Sequence, residues 1–441
     1  MRGVGKRYGK NRKLNMMIVG TNESGQEPSW NKVNAHEQEM FQRIRESHLK
    51  GHRRDAAYLQ RRYLTSFDAR LVAASTAYDK LKRWRRPELS KLPEIAKNLN
   101  ALRGTDERVD VRWVPKKSNP HEARLLMDFG IQNRSLQYQI RRCIEARLDL
   151  HPMQFALNGG KDVAIERVQE FALEGFNHVV EMDIKNCYPS FDGEKLSGLI
   201  PIQKEVTEKV ILSRNLNLYP VNMWDSSQSG DVSPEDIEYL AEYLAEARQG
   251  IAQGSAVSSV VAEIVLAQVL AQMPDMGVVL TYADNILLMA RSAKESVSMC
   301  IALSKLLSEH PAGPLKLNKP KTYKPGQPVE FLGYRLTVNG AKCDIEPSQK
   351  NLKQFHAETV RRLKKIEAEG ASIYYRKVLV SKLRRYVKSW PNSFKLWPGS
   401  EQHWKKYMSL VDKTISTFEK QVVAKAPATM VKKAAIGSGD G

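Results

Sequence analysis

Met276-Gly277-Val278-Val279-Leu280-Thr281-Tyr282-Ala283-Asp284-Asn285-Ile286-Leu287-Leu288-Met289-Ala290 decides the fold. Two apolar, β-prone runs flank a tight polar tip, which predicts a β-hairpin with a carboxylate at its turn. Upstream, Val179-Val180-Glu181-Met182-Asp183-Ile184-Lys185-Asn186-Cys187-Tyr188 runs an apolar strand straight into Asp183. One carboxylate at a strand end and another at a hairpin tip suit two-metal nucleotidyl transfer. That chemistry clamps two Mg²⁺ ions roughly 4 Å apart over the attacking and leaving oxygens.

Three more stretches fall in order along the chain: Ala252-Gln253-Gly254-Ser255-Ala256-Val257-Ser258-Ser259, Leu317-Asn318-Lys319-Pro320-Lys321-Thr322 and Phe331-Leu332-Gly333-Tyr334. With Asp183-Ile184-Lys185-Asn186-Cys187-Tyr188-Pro189-Ser190-Phe191 and Tyr282-Ala283-Asp284-Asn285, they resemble motifs A to E of reverse transcriptases. Any one stretch is weak by itself; the ordered set is specific. The resemblance implies an α+β, right-hand polymerase with fingers, a palm of antiparallel sheet plus helices, and an α-helical thumb.

The expected organisation is a basic, disordered tail over 1–34, a helical N-terminal extension over 35–108 and fingers over 109–182. The palm with motifs A to E follows over 183–346, the helical thumb over 347–420 and a flexible tail over 421–441. Within the extension, Phe41, Ile44, Leu49, Tyr58, Leu59, Tyr63, Leu64, Leu71 and Val72 recur at roughly helical spacing. Gln60 to Ala73 is similar to the extension of group II intron-type enzymes, which makes Arg61, Arg62 and Arg70 candidate template-RNA contacts or, equally, solvated arginines. Val109, Val111 and Trp113 alternate on one arm of a second hairpin, and Leu125, Met127 and Phe129 on the other. Helices over 348–366 and about 373–390 carry basic residues, and with a third containing Trp404, Tyr407, Leu410, Val411 and Ile415 they resemble the thumb, which makes sequence-blind phosphate contacts.

Composition agrees with a polyanionic partner. Lys plus Arg number 69 against 49 acidic residues in 441, a net charge of +20. The four cysteines (Cys143, Cys187, Cys300 and Cys343) have no ligand-like spacing. They speak for a reducing, cytoplasmic setting and against structural zinc or a disulfide framework. No run of 18 apolar residues predicts a membrane span.

By the resemblance, Asp183 and Asp284 bridge two Mg²⁺ ions, with Mn²⁺ as a substitute, and the Ile184 carbonyl is a further metal ligand. Lys117 and Arg124 meet the triphosphate of the incoming dNTP, and Gln253 and Gly254 lie beside the nucleotide. Tyr188 stands where reverse transcriptases place an aromatic against the ribose, excluding a 2′-hydroxyl. Lys321, or alternatively Lys319, donates a proton to pyrophosphate; a solvated loop charge is the plainer reading of both. Phe331, Leu332, Gly333 and Tyr334 form the primer grip, with Lys353 and Arg361 as thumb contacts to primer and template.

Asn285 departs from the family, which usually places a second Asp there as an extra metal ligand. Asn keeps an oxygen but loses the charge. An active enzyme, an inactive one and a substitution introduced to trap a complex are all consistent with it. The implied partners are RNA, as template or noncoding RNA, the DNA product and dNTPs, with a protein partner or homo-oligomer left open. A bacterial anti-phage defence enzyme with a dedicated noncoding RNA is the leading expectation, the missing nuclease pattern mildly favouring it. A group II intron maturase, or an RNA-binding scaffold impaired at Asn285, are the alternatives.

Overall fold

A computed structural model describes residues 29–115, 123–221, 234–339, 342–367 and 373–424. In chain order the elements are α1 (Trp30–Leu49), α2 (Arg53–Thr65), α3 (Phe67–Lys80), α4 (Leu92–Asn98), β1 (Val109–Pro115), β2 (Ala123–Asp128), α5 (Ile131–Glu145) and α6 (Gly160–Leu173). Then come β3 (His178–Asp183), α7 (Gly193–Leu199), α8 (Lys204–Val206), β4 (Leu218–Val221), α9 (Pro234–Ala247), α10 (Ser258–Leu270), β5 (Gly277–Tyr282) and β6 (Asn285–Ala290). The remainder is α11 (Ala293–Ser308), β7 (Lys321–Tyr323), β8 (Val329–Phe331), β9 (Tyr334–Asn339), β10 (Lys342–Pro347), α12 (Gln349–Glu367), α13 (Ile373–Ser389) and α14 (Ser400–Ala424). Helices and antiparallel strand pairs make this the expected α+β class.

The chain divides into two compact units. The first takes residues up to Gln154, then Asp183–Met273 and Ala302–Asn318; the second takes Phe155–Met182, Pro274–Ile301 and everything from Lys319.

In the first unit, α1 starts at Trp30, inside the range expected to be tail. The reason is packing: Trp30 and Val33 lie against Leu71, Ala74, Leu92 and Ala96, which recovers apolar burial from an otherwise polar segment. Beneath them the Tyr63 hydroxyl donates to buried Glu37 at 2.7 Å, and Arg142 Nε donates to the same oxygen at 3.1 Å. A buried carboxylate needs such partners. Burial first, and then Glu37, push the Tyr63 pKa well above its ordinary value. Arg70 is committed too: its guanidinium donates to the carbonyls of Thr65, Lys97 and Leu99 at 2.8–3.1 Å. It ties the ends of α2 and α4 together, satisfying carbonyls that a helix end leaves unpaired.

β1 pairs with β2 antiparallel and with β4 in parallel, giving the order β2-β1-β4. Val109, Val111, Met127, Phe129 and Leu218 enter a core with Tyr243, Ala247 and Ala252. α10 is apolar on nearly every side, and Val260, Val261, Val265, Leu266 and Val269 are buried, as a helix without a polar face must be. Its single acid, Glu263, accepts a 2.7 Å bond from buried Gln154.

The second unit contains two sheets. β5-β6-β3-β7 is one, with β3 reaching the unit boundary at Asp183; β10-β9-β8 is the other. β9 pairs with β10, Lys342–Pro347 matching Tyr334–Asn339 in antiparallel register. The helices α12, α13 and α14 close around Phe355, Leu363, Ile366, Leu383, Val387, Val411 and Ile415. Phe355 stacks on Trp390 at 4.3 Å between ring centroids and on Tyr386 at 5.5 Å. No helix among the described residues is long and apolar enough to cross a membrane.

Phe355 is fully buried. Phe355→Ala should therefore cost about 3–5 kcal/mol, read as a lower midpoint in chemical unfolding followed by tryptophan fluorescence. An unchanged midpoint would contradict this packing.

Candidate active site

Backbone conformation marks three of the motifs before any side chain does. Among the described residues, the non-glycine residues with positive φ are Asn186 (47°), Ala283 (53°) and Leu332 (49°). They lie in the turn after β3, the turn between β5 and β6, and the turn between β8 and β9. Asn reaches this region cheaply, because its short side chain bonds locally. Ala and Leu do not, and each stores strain of order 1–3 kcal/mol.

At the end of β3 and just beyond it, Met182 is buried, Asp183 exposed, Ile184 buried and Lys185 exposed. Ile184 forms a single antiparallel bridge with Leu317. The bonds of that bridge are Lys185 N–H to Lys316 O, 2.7 Å, and Asn318 N–H to Asp183 O, 2.9 Å. They flank Ile184 and leave its own peptide groups out of the bridge. Asn318 also donates from its side chain, Nδ2 to Asp183 Oδ2, at 2.6 Å.

After β3 the chain turns, and the Tyr188 carbonyl accepts from Ile251 N–H at 3.0 Å. Gly250 makes that approach: a Cβ there would stand 2.3 Å from the Tyr188 oxygen. Gln253 O accepts from Met127 N–H of β2 at 2.9 Å. Gly254, at φ +111°, would place a Cβ 2.4 Å from the Met127 carbonyl. Its close neighbour in this structure is thus a protein backbone. Tyr188 and Gln253 are half-buried, and Arg124 is exposed three residues from Met127 on β2. Lys117 lies outside the described residues.

In the other unit, Tyr282 and Asn285 face each other across the β5–β6 hairpin, so Ala283 and Asp284 form a two-residue turn. Asp284 is half-buried and Asn285 exposed. The Asn285 side-chain N–H donates to Tyr282 O and to Asp284 Oδ1, both at 3.3 Å. In the sheet order β5-β6-β3-β7, β6 is the neighbour of the strand that ends at Asp183.

Lys321 sits on β7 directly opposite Glu181, and its Nζ pairs with Glu181 Oε2 at 3.2 Å. Tyr323 donates to the same oxygen at 2.8 Å. Lys319 is exposed. In the β8–β9 turn, Leu332 and Gly333 both have positive φ, the conformation a two-residue type I′ hairpin needs. The Gly333 carbonyl accepts from Ser348 N–H at 2.8 Å and from the Asn351 side chain at 2.9 Å, locking the turn to the start of α12. Phe331 and Tyr334 are buried. The Tyr334 hydroxyl donates to Asp162 at 2.8 Å, and Lys161 Nζ lies 5.0 Å from the ring centroid. Lys353 is exposed. Arg361 is exposed but forked onto Glu358 at 2.7 and 2.8 Å. Arg361 and then Arg362 hold the Glu358 carboxyl down, at about 2.

Among the described residues, no group of three or more His, Cys, Asp or Glu is placed to hold a metal ion. The donors the sequence proposed are two carboxylates and a main-chain carbonyl. These are hard oxygens, the kind Mg²⁺ takes, and Mg²⁺ commonly completes its shell with substrate phosphates and water. The exposed Asp183, and an Ile184 peptide free of the Leu317 bridge, fit that use.

The sequence gives no sign that Asn318 meets Asp183. Nor does it mark Glu181 as the partner of Lys321 or Asp162 as the partner of Tyr334. No local pattern announces these pairs, because each joins segments more than a hundred residues apart.

The strained tip gives a sign-definite expectation. Ala283→Gly should leave stability level or raise it by up to about 1 kcal/mol, whereas Ala283→Val should lower it by about 2 kcal/mol, being β-branched at positive φ. Thermal unfolding of the two variants checks the order, and the reverse order would contradict the turn geometry.

A family model described as reverse transcriptase (RNA-dependent DNA polymerase) matches residues 114–336, just over half of the chain. Solved structures similar to the chain include telomerase from Candida albicans in complex with a fragment of telomeric RNA, at 13% identity and a TM-score of 0.35, covering 72% of this chain and 65% of that one. Apo telomerase from Candida tropicalis is another, at 11% identity and a TM-score of 0.37, covering 71% and 63%. The chain thus spans less than two thirds of the length of either. No curated protein matches it in sequence. The match over residues 114–336 carries every motif from A to E, and by it the chain belongs to the reverse transcriptase family.

Proposed function

We propose that this chain is an RNA-directed DNA polymerase that adds dNTPs to a primer 3′-end by two-metal nucleotidyl transfer. The observation that carries the reading is the sheet order: the strand ending at Asp183 is the neighbour of the strand that follows Asp284. Family membership supports the same chemistry.

Asp183, Asp284 and the Ile184 carbonyl would hold the ions. Two bound Mg²⁺ ions supply acidification of the primer hydroxyl and charge neutralisation at the leaving pyrophosphate. The protein residues do the rest. Tyr188 bars a ribose 2′-hydroxyl, held in place by its backbone bond to Ile251. Gln253 and Gly254 form the nucleotide-side turn, propped on β2. Arg124, with Lys117, binds phosphate oxygens, Arg by a planar fork and Lys as a point charge. Asn285 offers an amide oxygen where a carboxylate would bring a second charge. To protonate pyrophosphate, Lys321 must first leave Glu181, so Lys319 shares that role as candidate. Leu332 and Gly333 present the primer-side turn, shaped from behind by buried Tyr334, while Lys353 and Arg361 meet the backbone phosphates. Arg361 does so in competition with Glu358.

The finer assignment we carry is a bacterial enzyme of anti-phage defence that works with a dedicated noncoding RNA. Sequencing the nucleic acid that co-purifies with the protein tests it. A structured RNA encoded beside the gene supports it, and a group II intron replaces it with a maturase.

Asp183→Ala and Asp284→Ala should each abolish Mg²⁺-dependent dNTP incorporation while leaving the circular dichroism spectrum and RNA binding intact. Full incorporation by either variant would overturn the ligand assignment. Tyr188→Ala should raise rNTP incorporation relative to dNTP in primer extension; an unmoved ratio would mean that the ring does not face the sugar.

A further inference from the structure

The geometry points to Asn318 as a positioning residue that sets the Asp183 carboxylate for its metal ion. This inference rests on the ligand role proposed above for Asp183. Asn318 grips Asp183 twice, backbone N–H to backbone O at 2.9 Å and side-chain Nδ2 to Oδ2 at 2.6 Å. The two grips are coupled. The Ile184–Leu317 bridge fixes the register, so the side chain of Asn318 has one place to go.

The chemistry of the donor matters as much as its position. A carboxylate waiting for a cation must be oriented without being neutralised. Lysine or arginine at this place would orient Asp183 and also compete with the ion for its charge. A neutral amide donates one hydrogen bond, occupies one oxygen and leaves the full negative charge and Oδ1 to the metal. The nearby lysine of the same stretch, Lys321, is kept on Glu181 instead. The second carboxylate shows the same choice more loosely: Asp284 Oδ1 accepts an amide N–H from Asn285 at 3.3 Å. Partners of this outer kind typically change metal affinity by about 10–100-fold when removed.

The test uses the full chain with an RNA template annealed to a DNA primer, and Mn²⁺ alone as the probe, counted by electron paramagnetic resonance of the free ion. Asn318→Ala and the shape-conserving Asn318→Leu should each raise the Mn²⁺ concentration for half-occupancy by about tenfold or more. The number of ions bound at saturation should stay that of the parent. The metal concentration for half-maximal extension rate should move by the same factor. Two variants of different bulk guard against a packing artefact, and thermal unfolding reports whether each is folded. If either folded variant binds Mn²⁺ with the parent's midpoint, Asn318 does not position Asp183. Asp183→Ala runs alongside: loss of an ion there, with unmoved Asn318 variants, defeats this inference alone. An unchanged Asp183→Ala titration defeats the metal reading beneath it.

Discussion

A pair of backbone hydrogen bonds, Lys185 to Lys316 and Asn318 to Asp183, anchors the segment on which the proposed chemistry depends. They close around Ile184, whose side chain is buried while its neighbours Asp183 and Lys185 are exposed. A strand alternates its faces with period two, so fixing one buried residue fixes the exposure of the next. Nothing charged is needed to hold Asp183 outward. The apolar anchor and the backbone bonds do it, and a neutral amide completes the arrangement.

Elsewhere the structure spends backbone strain and side-chain bonds where the motifs turn. Left-handed residues occur at Asn186, Ala283 and Leu332, and glycines at 250 and 254 bring backbones into contact distances that no Cβ tolerates. Such conformations persist only where their surroundings over-determine them. Here the surroundings are identifiable: the Tyr188–Ile251 bond, the Met127–Gln253 bond, and the capture of Gly333 by Ser348 and Asn351. The motifs are short because each names a turn, and the turns are held by residues outside them.

That division explains what was legible in the sequence. The β5–β6 hairpin was readable because apolar alternation and a polar tip are local signals, and so were the helices after the last motif, whose apolar spacing is periodic. Partnerships across distance were not. Arg70 reads as an exposed cation on a helix, yet three carbonyls from two segments, the ends of α2 and α4, take up its guanidinium. Lys321 reads as a free loop lysine, yet strand pairing sets it opposite Glu181. Tyr334 reads as part of the primer grip, and nothing local announces its burial or its bond to Asp162. Gly254 reads as a nucleotide-side glycine, and the sequence does not announce that its backbone also packs against the carbonyl of Met127. Trp30 was assigned to a tail, and it is helical because Leu71 and Leu92 are there to receive it.

The two-residue turn of Ala283 and Asp284 bears on how this protein can vary over evolutionary time. Every residue from Ile286 to Ala290 is buried, and strand side chains alternate between faces. A one-residue slip of β6 against β5 would send each of those side chains to the opposite face. The register of β6 is thus constrained by burial on both of its faces. Asn285 is exposed at the first position of β6, so a change of side chain there alters the atoms offered to the turn without displacing a buried residue.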